Sequence, residues 1–397
     1  MDFRFAEEED AFRKEVRDFL QGVLPPDWLG ADQDMIHQDE VKEIHQLGME
    51  IKRKLATMGW LGISWPKEYG GQGASIMKHI ILEEELYYQG VPGYDQPTFG
   101  VAGPLILEFG TEEQKRRFIP PISRGEVKWA IGMSEPSAGS DLAALQMKAE
   151  EKDDCFLLNG QKIWQSGAHM ADWCMVYART DPDVPKHQGI SCFLVNLNSP
   201  GISMRRLVFM TGIAASDEVF YENVRVPKEN LLGQKNGGWS VASASFTSDR
   251  TCGLYFLLYA KRDFELLVEQ CREIHINEQQ LGKDAIIRNR LAQMAIEIEA
   301  GYNLAYRLNW MVSRDMSIAV EACQVRVFGA TVLQHLVNLG MQILGLYGQL
   351  DEKSKWAKLK GRMKHIYLNA IGMTIGAGTS EVSRNFIAAA GLGLPRS

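Results

Sequence analysis

The sequence predicts an α+β chain in three parts: a helical segment, a β segment and a second helical segment. Two observations lead there. Apolar residues recur at three- and four-residue spacing before about residue 124 and after about residue 240. Between those points the period changes to that of strands, punctuated by Gly, Pro and Asp clusters. The expected domains are therefore 1–124, helical; 125–240, β; and 241–397, a helical bundle.

In the first part, Phe12, Val16, Phe19 and Leu20 share one helix face, and Glu7 to Asp10 fill the first turn, where the helix dipole favours acids. Further helical patterns run over Val41 to Met58, Ser75 to Tyr88 and Thr111 to Phe118. Ser64-Trp65-Pro66 and Tyr69 to Gly73 read as turns between them. In the second part, Phe156 to Leu158 and Lys162 to Trp164 flank Asn159-Gly160, a dipeptide suited to a tight hairpin. Trp173 to Ala178, Ile190 to Leu197 and Glu218 to Val226 read as further strands. In the third, Val241 to Cys271, Ile286 to Val312, Ile318 to Leu344 and Trp356 to Thr374 are long amphipathic helices with short connections, which predicts a four-helix bundle. A short final helix is expected after Gly376-Ala377-Gly378.

Composition narrows the function. The chain has 397 residues, 45% hydrophobic and 23% charged, so it buries large cores and is neither disordered nor fibrous. A net charge of -7 without a dense basic block speaks against nucleic acid. The longest apolar stretch read from the sequence, around Gly253 to Ala260, falls well short of the roughly 20 residues of a membrane span. Six scattered cysteines without a CxxC pair suit a reducing compartment, and the acidic start shows no targeting segment, so a cytoplasmic protein is expected. Eight histidines form no i, i+4 pair, and no metal site is expected. GxGxxG after a strand, the P-loop, GxSxG and HExxH are all absent.

What remains is Met133-Ser134-Glu135-Pro136-Ser137-Ala138-Gly139-Ser140-Asp141, a loop of small residues and hydroxyls suited to meeting an electron-rich ligand. Taken alone it reads better as a solvated turn. Four more segments follow in order: Asn159 to Gly167, Phe220 to Pro227, Gln342 to Gly345, and Gly378 to Asn385 ahead of a Leu-Gly-Leu-Pro-Arg ending. Together, over nearly the whole chain, they resemble the acyl-CoA dehydrogenase family.

That resemblance implies FAD, an acyl-CoA substrate and, as electron acceptor, an electron-transfer flavoprotein. It also implies a homo- or hetero-oligomer, dimer or tetramer. Carried over residue by residue, Met133 and Ser134 contact the flavin ring, Trp164 covers its other face and Ser166 bonds near the reactive nitrogen. Without the resemblance, Trp164 reads as a hairpin aromatic filling a core. Gln342, Gly345 and Thr379 complete the cofactor-binding set, and Ser140 reaches the CoA moiety. The reaction needs a base for the α-proton and a hydride acceptor for the β-carbon.

Three departures from the family pattern stand out. The best-known catalytic Glu directly precedes the C-terminal Gly-Thr, where this chain has Ala377. Some members carry the base on the first bundle helix before an Arg; that register is Asp249-Arg250 here, making Asp249 the candidate base and Arg250 a substrate-binding candidate. A helix-face ion pair is the plainer reading of those two. The Arg-x-x-Phe-Gly segment that meets the FAD pyrophosphate across a dimer becomes Glu278-Gln279-Gln280-Leu281-Gly282, and the Gln-Ile-x-Gly-Gly segment ends in Leu346. The half-site donated to a neighbour therefore looks weakened. The substrate expected is bulky, branched, alicyclic or steroid-derived. Gly93, Tyr94 and Asp95 line the acyl pocket or form a loop turn, with Asp95 a substrate contact or a second carboxylate. The alternatives are a non-catalytic or half-site subunit of a heteromer, or an oxidase or desulfinase reaction on the same fold.

Overall fold

The structure is a computed structural model that describes residues 6–31, 42–250, 253–276 and 278–395, with only the backbone considered at 247–250, 253 and 276. The helices, in chain order, are α1 (Glu7–Val23), α2 (Lys42–Thr57), α3 (Ile76–Tyr88), α4 (Gly103–Phe109), α5 (Glu112–Ser123), α6 (Gly238–Arg250), α7 (Gly253–Glu273), α8 (Ala285–Val312), α9 (Ala319–Leu344), α10 (Arg362–Gly372) and α11 (Ser380–Phe386). The strands are β1 (Trp129–Gly132), β2 (Lys148–Glu151), β3 (Cys155–Ser166), β4 (Trp173–Arg179), β5 (Ile190–Asn196), β6 (Ile202–Leu207), β7 (Ser216–Pro227) and β8 (Leu231–Leu232), with a small β9–β10 hairpin (His275–Ile276, Gln279–Gln280). This is the expected α+β architecture. The chain divides into two compact units, one of residues 1–32, 76–91 and 250–397, the other of residues 33–75 and 92–249.

The second unit is built on one sheet, in the order β6-β7-β3-β2-β4-β5-β8, with β1 added in parallel to β4. Its core is Phe156, Leu158, Val176, Phe193, Val219 and Tyr221 with their neighbours, all but excluded from solvent. Helix α5 is fastened to the sheet's end by polar contacts: Gln114 Nε2 donates to the carbonyls of Glu229 (2.7 Å) and Leu231 (2.9 Å). The same Gln114 closes a capping box with Thr111, which is why the helix starts there. Phe118 on that helix meets the edges of Trp129 and Trp173, paired neighbours on β1 and β4.

The Asn159-Gly160 hairpin expected from the sequence does not form. Both residues lie inside β3, which runs unbroken for 12 residues along β7. The pairing steps from Leu158 with Val224 to Gly160 with Tyr221, so Asn159 faces both Glu222 and Asn223. Asn223 takes φ +51°, and its N–H donates to Asn159 Oδ1 at 2.8 Å. The turn chemistry is spent on a β-bulge that increases the local twist, not on a reversal. Strands β1, β2, β6 and β8 and the β9–β10 hairpin lie outside the strands expected from the sequence; short or half-exposed, they carry little apolar alternation.

In the first unit α9 is central, with α7, α8, α10 and α11 around it. Contrary to the expectation from the Gly253 to Ala260 stretch, the segment Ala319–Gln349 is long and apolar enough to cross a membrane, yet half of its most apolar window is buried inside the fold. A helix surrounded by others needs no polar face along much of its length. Helices α1 and α3, in the same unit, are linked to each other by charge: Arg13 bridges Glu84 (2.8 Å) and Glu85 (2.7 Å). The expected helix Val241 to Cys271 corresponds to α6 and α7 on either side of residues 251–252, which lie outside the described residues, and Trp356 to Thr374 shortens to α10 because Leu359 and Lys360 take φ +50°.

Candidate functional site

Strand β3 carries the most informative local geometry. Phe156, Leu158 and Lys162 point into the core in strand alternation, and continued alternation would bury Trp164 and expose Gln165. The structure does the reverse: Gln165 is fully buried and Trp164 is 58% exposed. The cause is a second bulge, with Lys162 paired to Val219 and Gln165 to Asp217, so Ile163 and Trp164 share one partner residue. Trp164 takes φ +62°, a left-handed conformation that costs a bulky residue roughly 1–3 kcal/mol and tends to mark functional positions. Its indole lies 6.1 Å from the Phe209 ring, and Val208 and Met210 beside Phe209 are also exposed. Trp164 is therefore not the core aromatic of the plainer reading.

The Met133–Asp141 loop is stitched to this bulge. Ile163 N donates to Ser134 O at 2.9 Å, and Lys162 Nζ donates to Met133 O at 2.9 Å. Met133 and Ser134 are half-buried, and Ser140 is exposed. Ser166, half-buried at the end of β3, pairs with Ser216. Just beyond, Gly167 (φ +61°) turns the chain so that His169 N and Nδ1 meet Asp217 Oδ2 at 3.0 and 2.8 Å. Met133, Ser134, Trp164 and Ser166 thus belong to one constellation: an exposed indole, two hydroxyls and a loop bonded to the same strand.

Two buried polar residues of this constellation escaped the sequence reading. Glu135 accepts from Gln146 N (2.6 Å), Met147 N (2.9 Å) and Lys162 Nζ (2.9 Å). Lys162 is wholly excluded from solvent, and desolvation pushes its ammonium down to about 8, outweighing the Glu135 carboxylate beside it. The available signal was a lysine at a core-facing position of a strand, which demands a counter-charge.

The remaining candidates are placed as follows. Asp95 is buried and its Oδ1 accepts from Thr98 N at 3.0 Å, while Thr98 Oγ1 accepts from Trp129 N at 2.9 Å. The carboxylate thus holds the start of the helical turn Pro97–Ala102, whose Thr98 in turn bonds to β1. Tyr94 is buried and stacks on Phe99, and Gly93 (φ +93°) lies against the Gly48 carbonyl of α2. Asp249 and Arg250 lie on α6, and their side chains fall outside the described residues. That helix starts against Ser191, whose Oγ is 2.7 Å from Thr180 Oγ1 and accepts from Asn236 N at 2.8 Å.

In the first unit, Gln342 is exposed near the end of α9, and Gly345 caps that helix at φ +56°, ψ -130°, a conformation proper to glycine. Leu346 next to it is 80% exposed. Thr379 caps α11, its hydroxyl accepting from Val382 N at 3.1 Å. Ala377 is exposed at φ +54°, in a loop whose Gly376 and Gly378 carbonyls accept from buried Arg326. Glu278 (φ +67°) is the exposed turn of the β9–β10 hairpin. Among the described residues no group of three His, Cys, Asp or Glu side chains is placed to hold a metal ion.

Comparison with known proteins extends this picture to the whole chain. Residues 6–126 match the acyl-CoA dehydrogenase N-terminal domain, 130–224 the middle domain and 236–392 the C-terminal domain. Acyl-CoA dehydrogenase FadE26 of Mycobacterium tuberculosis is 30% identical, with 100% of each chain covered. Among solved structures, the Tcur3481-Tcur3483 steroid ACAD superposes with a TM-score of 0.89 at 31% identity over 100% of both chains. The ChsE4-ChsE5 complex from Mycobacterium tuberculosis gives 0.89 at 30%, again over 100% of both. With its three domains in order and its fold shared end to end, the chain belongs to the acyl-CoA dehydrogenase family and is an oxidoreductase acting on acyl-CoA.

Proposed function

We propose that this chain binds FAD and introduces an α,β double bond into a bulky, alicyclic or steroid-derived acyl-CoA, passing electrons on to an electron-transfer flavoprotein. The observation that carries the reading is Trp164, held on a strained bulge with its indole in the open and bonded through its neighbours to the Ser134 loop. The residues present fit a planar ring with a polar edge: an uncovered aromatic face, half-buried hydroxyls at Ser134 and Ser166, and open space around Gly139. The likeness to a steroid acyl-CoA dehydrogenase supports the substrate class.

FAD, when bound, supplies the acceptor for the hydride that leaves the β-carbon. Everything else falls to the protein. Asp249 takes the α-proton, since Ala377 has no carboxylate to offer. Arg250 contacts the substrate, Ser140 reaches the CoA moiety, and Met133, Ser134, Trp164 and Ser166 hold the ring; Gln342, Gly345 and Thr379 are the further cofactor-binding candidates. The test is anaerobic titration of the purified flavoprotein with straight, branched, alicyclic and steroid acyl-CoA thioesters. Loss of the visible flavin band with the bulky thioesters supports the proposal; a band that responds only to straight chains defeats the substrate class. Oxygen consumption coupled to turnover would point to an oxidase.

A heteromer is the form of assembly we favour. Glu278 and Leu346 stand where pyrophosphate contacts are expected of a donated half-site, and glutamate repels phosphate. Both structural relatives named above carry paired names, Tcur3481-Tcur3483 and ChsE4-ChsE5. One tightly bound FAD per chain in a homo-oligomer would refute this arrangement and leave the dehydrogenase reading standing.

A further inference from the structure

Glu135 and Lys162 form a buried ion pair that no step of the proposed reaction uses. Replacing such a pair by apolar groups is often neutral or stabilising, because desolvation offsets the attraction. Stability alone therefore explains it poorly, and its geometry suggests what else it does. Lys162 Nζ lies 2.9 Å from Glu135 Oε1 and 2.9 Å from Met133 O. One ammonium thus grips the loop at its first residue and at the carboxylate two residues later. The carboxylate also accepts from Gln146 N and Met147 N, while Glu135 and Ala138 exchange backbone hydrogen bonds at 3.0 Å. The entry and exit of the Met133–Met147 segment are thereby gathered on one side chain.

The other end of the link is the bulge. Lys162 is the last regularly alternating residue of β3 before Ile163 and Trp164 share a single partner on β7. Its inward anchoring, with Gln165 buried on the far side, leaves Trp164 no place but the surface. Ile163 N, between them, donates to Ser134 O. The side chains proposed to meet one face of the ring and those proposed to cover the other are joined through Lys162.

We propose that Glu135 and Lys162 are positioning residues for the flavin: the pair sets the spacing between the Met133–Ser140 loop and the Trp164 bulge, and cofactor affinity depends on that spacing. The inference rests on the FAD reading above. It differs from a purely structural role, in which any well-packed replacement would serve.

The experiment uses the full chain, affinity-purified from its own cells so that any partner chain is retained, and stripped of flavin. FAD is titrated by the quenching of its fluorescence into the parent and into the uncharged double variant Glu135→Gln/Lys162→Met. Thermal unfolding of the flavin-free forms and visible circular dichroism of the bound forms accompany it. The expected result is a double variant that unfolds near the parent temperature, binds FAD roughly tenfold or more weakly, and shows an altered dichroic band from a misplaced ring. If the double variant does not fold, the single variant Glu135→Gln, which keeps the size and one acceptor, is judged by the same criterion. A folded variant with parental affinity and an unchanged band overturns the positioning role while leaving the FAD reading intact. A parent that binds no FAD overturns that reading, and this inference with it.

Discussion

Lys162 and Gln165 stand three residues apart on one strand, yet both side chains are wholly buried. Strict alternation forbids this, and the bulge between them permits it. The consequence is a tryptophan pushed into the open at φ +62°.

Trp164 pays for its position in backbone strain and contributes little to the core, so Trp164→Gly should leave the flavin-free protein within about 1 kcal/mol of the parent. FAD binding should weaken roughly threefold to tenfold through lost stacking. Chemical denaturation and a flavin titration on the same preparation check both. Unchanged affinity would remove Trp164 from the cofactor site.

Asp249→Asn keeps the side chain's size and removes the base. Flavin content and acyl-CoA binding should persist while anaerobic flavin reduction slows by roughly a hundredfold or more. Stopped-flow absorbance measures it. A variant that reduces at nearly the parent rate would shift attention to Asp95, despite its bond to Thr98 N.

Burial lowers the Lys162 ammonium from 10.5 to about 8. Between those values the unfolded chain holds a proton that the folded chain has released, so this group makes stability rise with pH across the window. The contribution is complete above about 10.5 and lost as pH falls through about 8. Measured against Lys162→Met, which lacks the titration, the parent should gain with rising pH by at most about 1.4 kcal/mol per unit. Urea unfolding of both proteins at several pH values tests this, and a constant difference across the window contradicts it.

Gly93→Ala separates packing from substrate binding at a position assigned to either. At φ +93° any side chain is strained, and a Cβ there would sit 2.1 Å from the Gly48 carbonyl oxygen. The expected loss is roughly 2 kcal/mol or more of stability, read by denaturant unfolding. A variant of parental stability with impaired substrate binding would instead favour the acyl-pocket role.

Much of the molecule was legible in its amino acids. The period of the apolar residues determined where helices give way to strands, because burying one face requires side chains to recur at the spacing of the element. The order of Met133–Asp141, Asn159–Gly167 and Gly378–Asn385 was enough to suggest the family, since those small and hydroxylated residues carry their signal in the chain itself. The tertiary structure decided what local rules could not. Asn159-Gly160 has hairpin chemistry, but with β7 alongside for the whole length of β3 it became a bulge. Trp164 has the character of a core residue, but its place was determined by two neighbours, Lys162 held by Glu135 and Gln165 packed against Cys174. Both partners are distant in sequence or belong to another strand. Which of two faces a strand residue takes depends on every bulge before it, and a bulge is a property of the pair of strands.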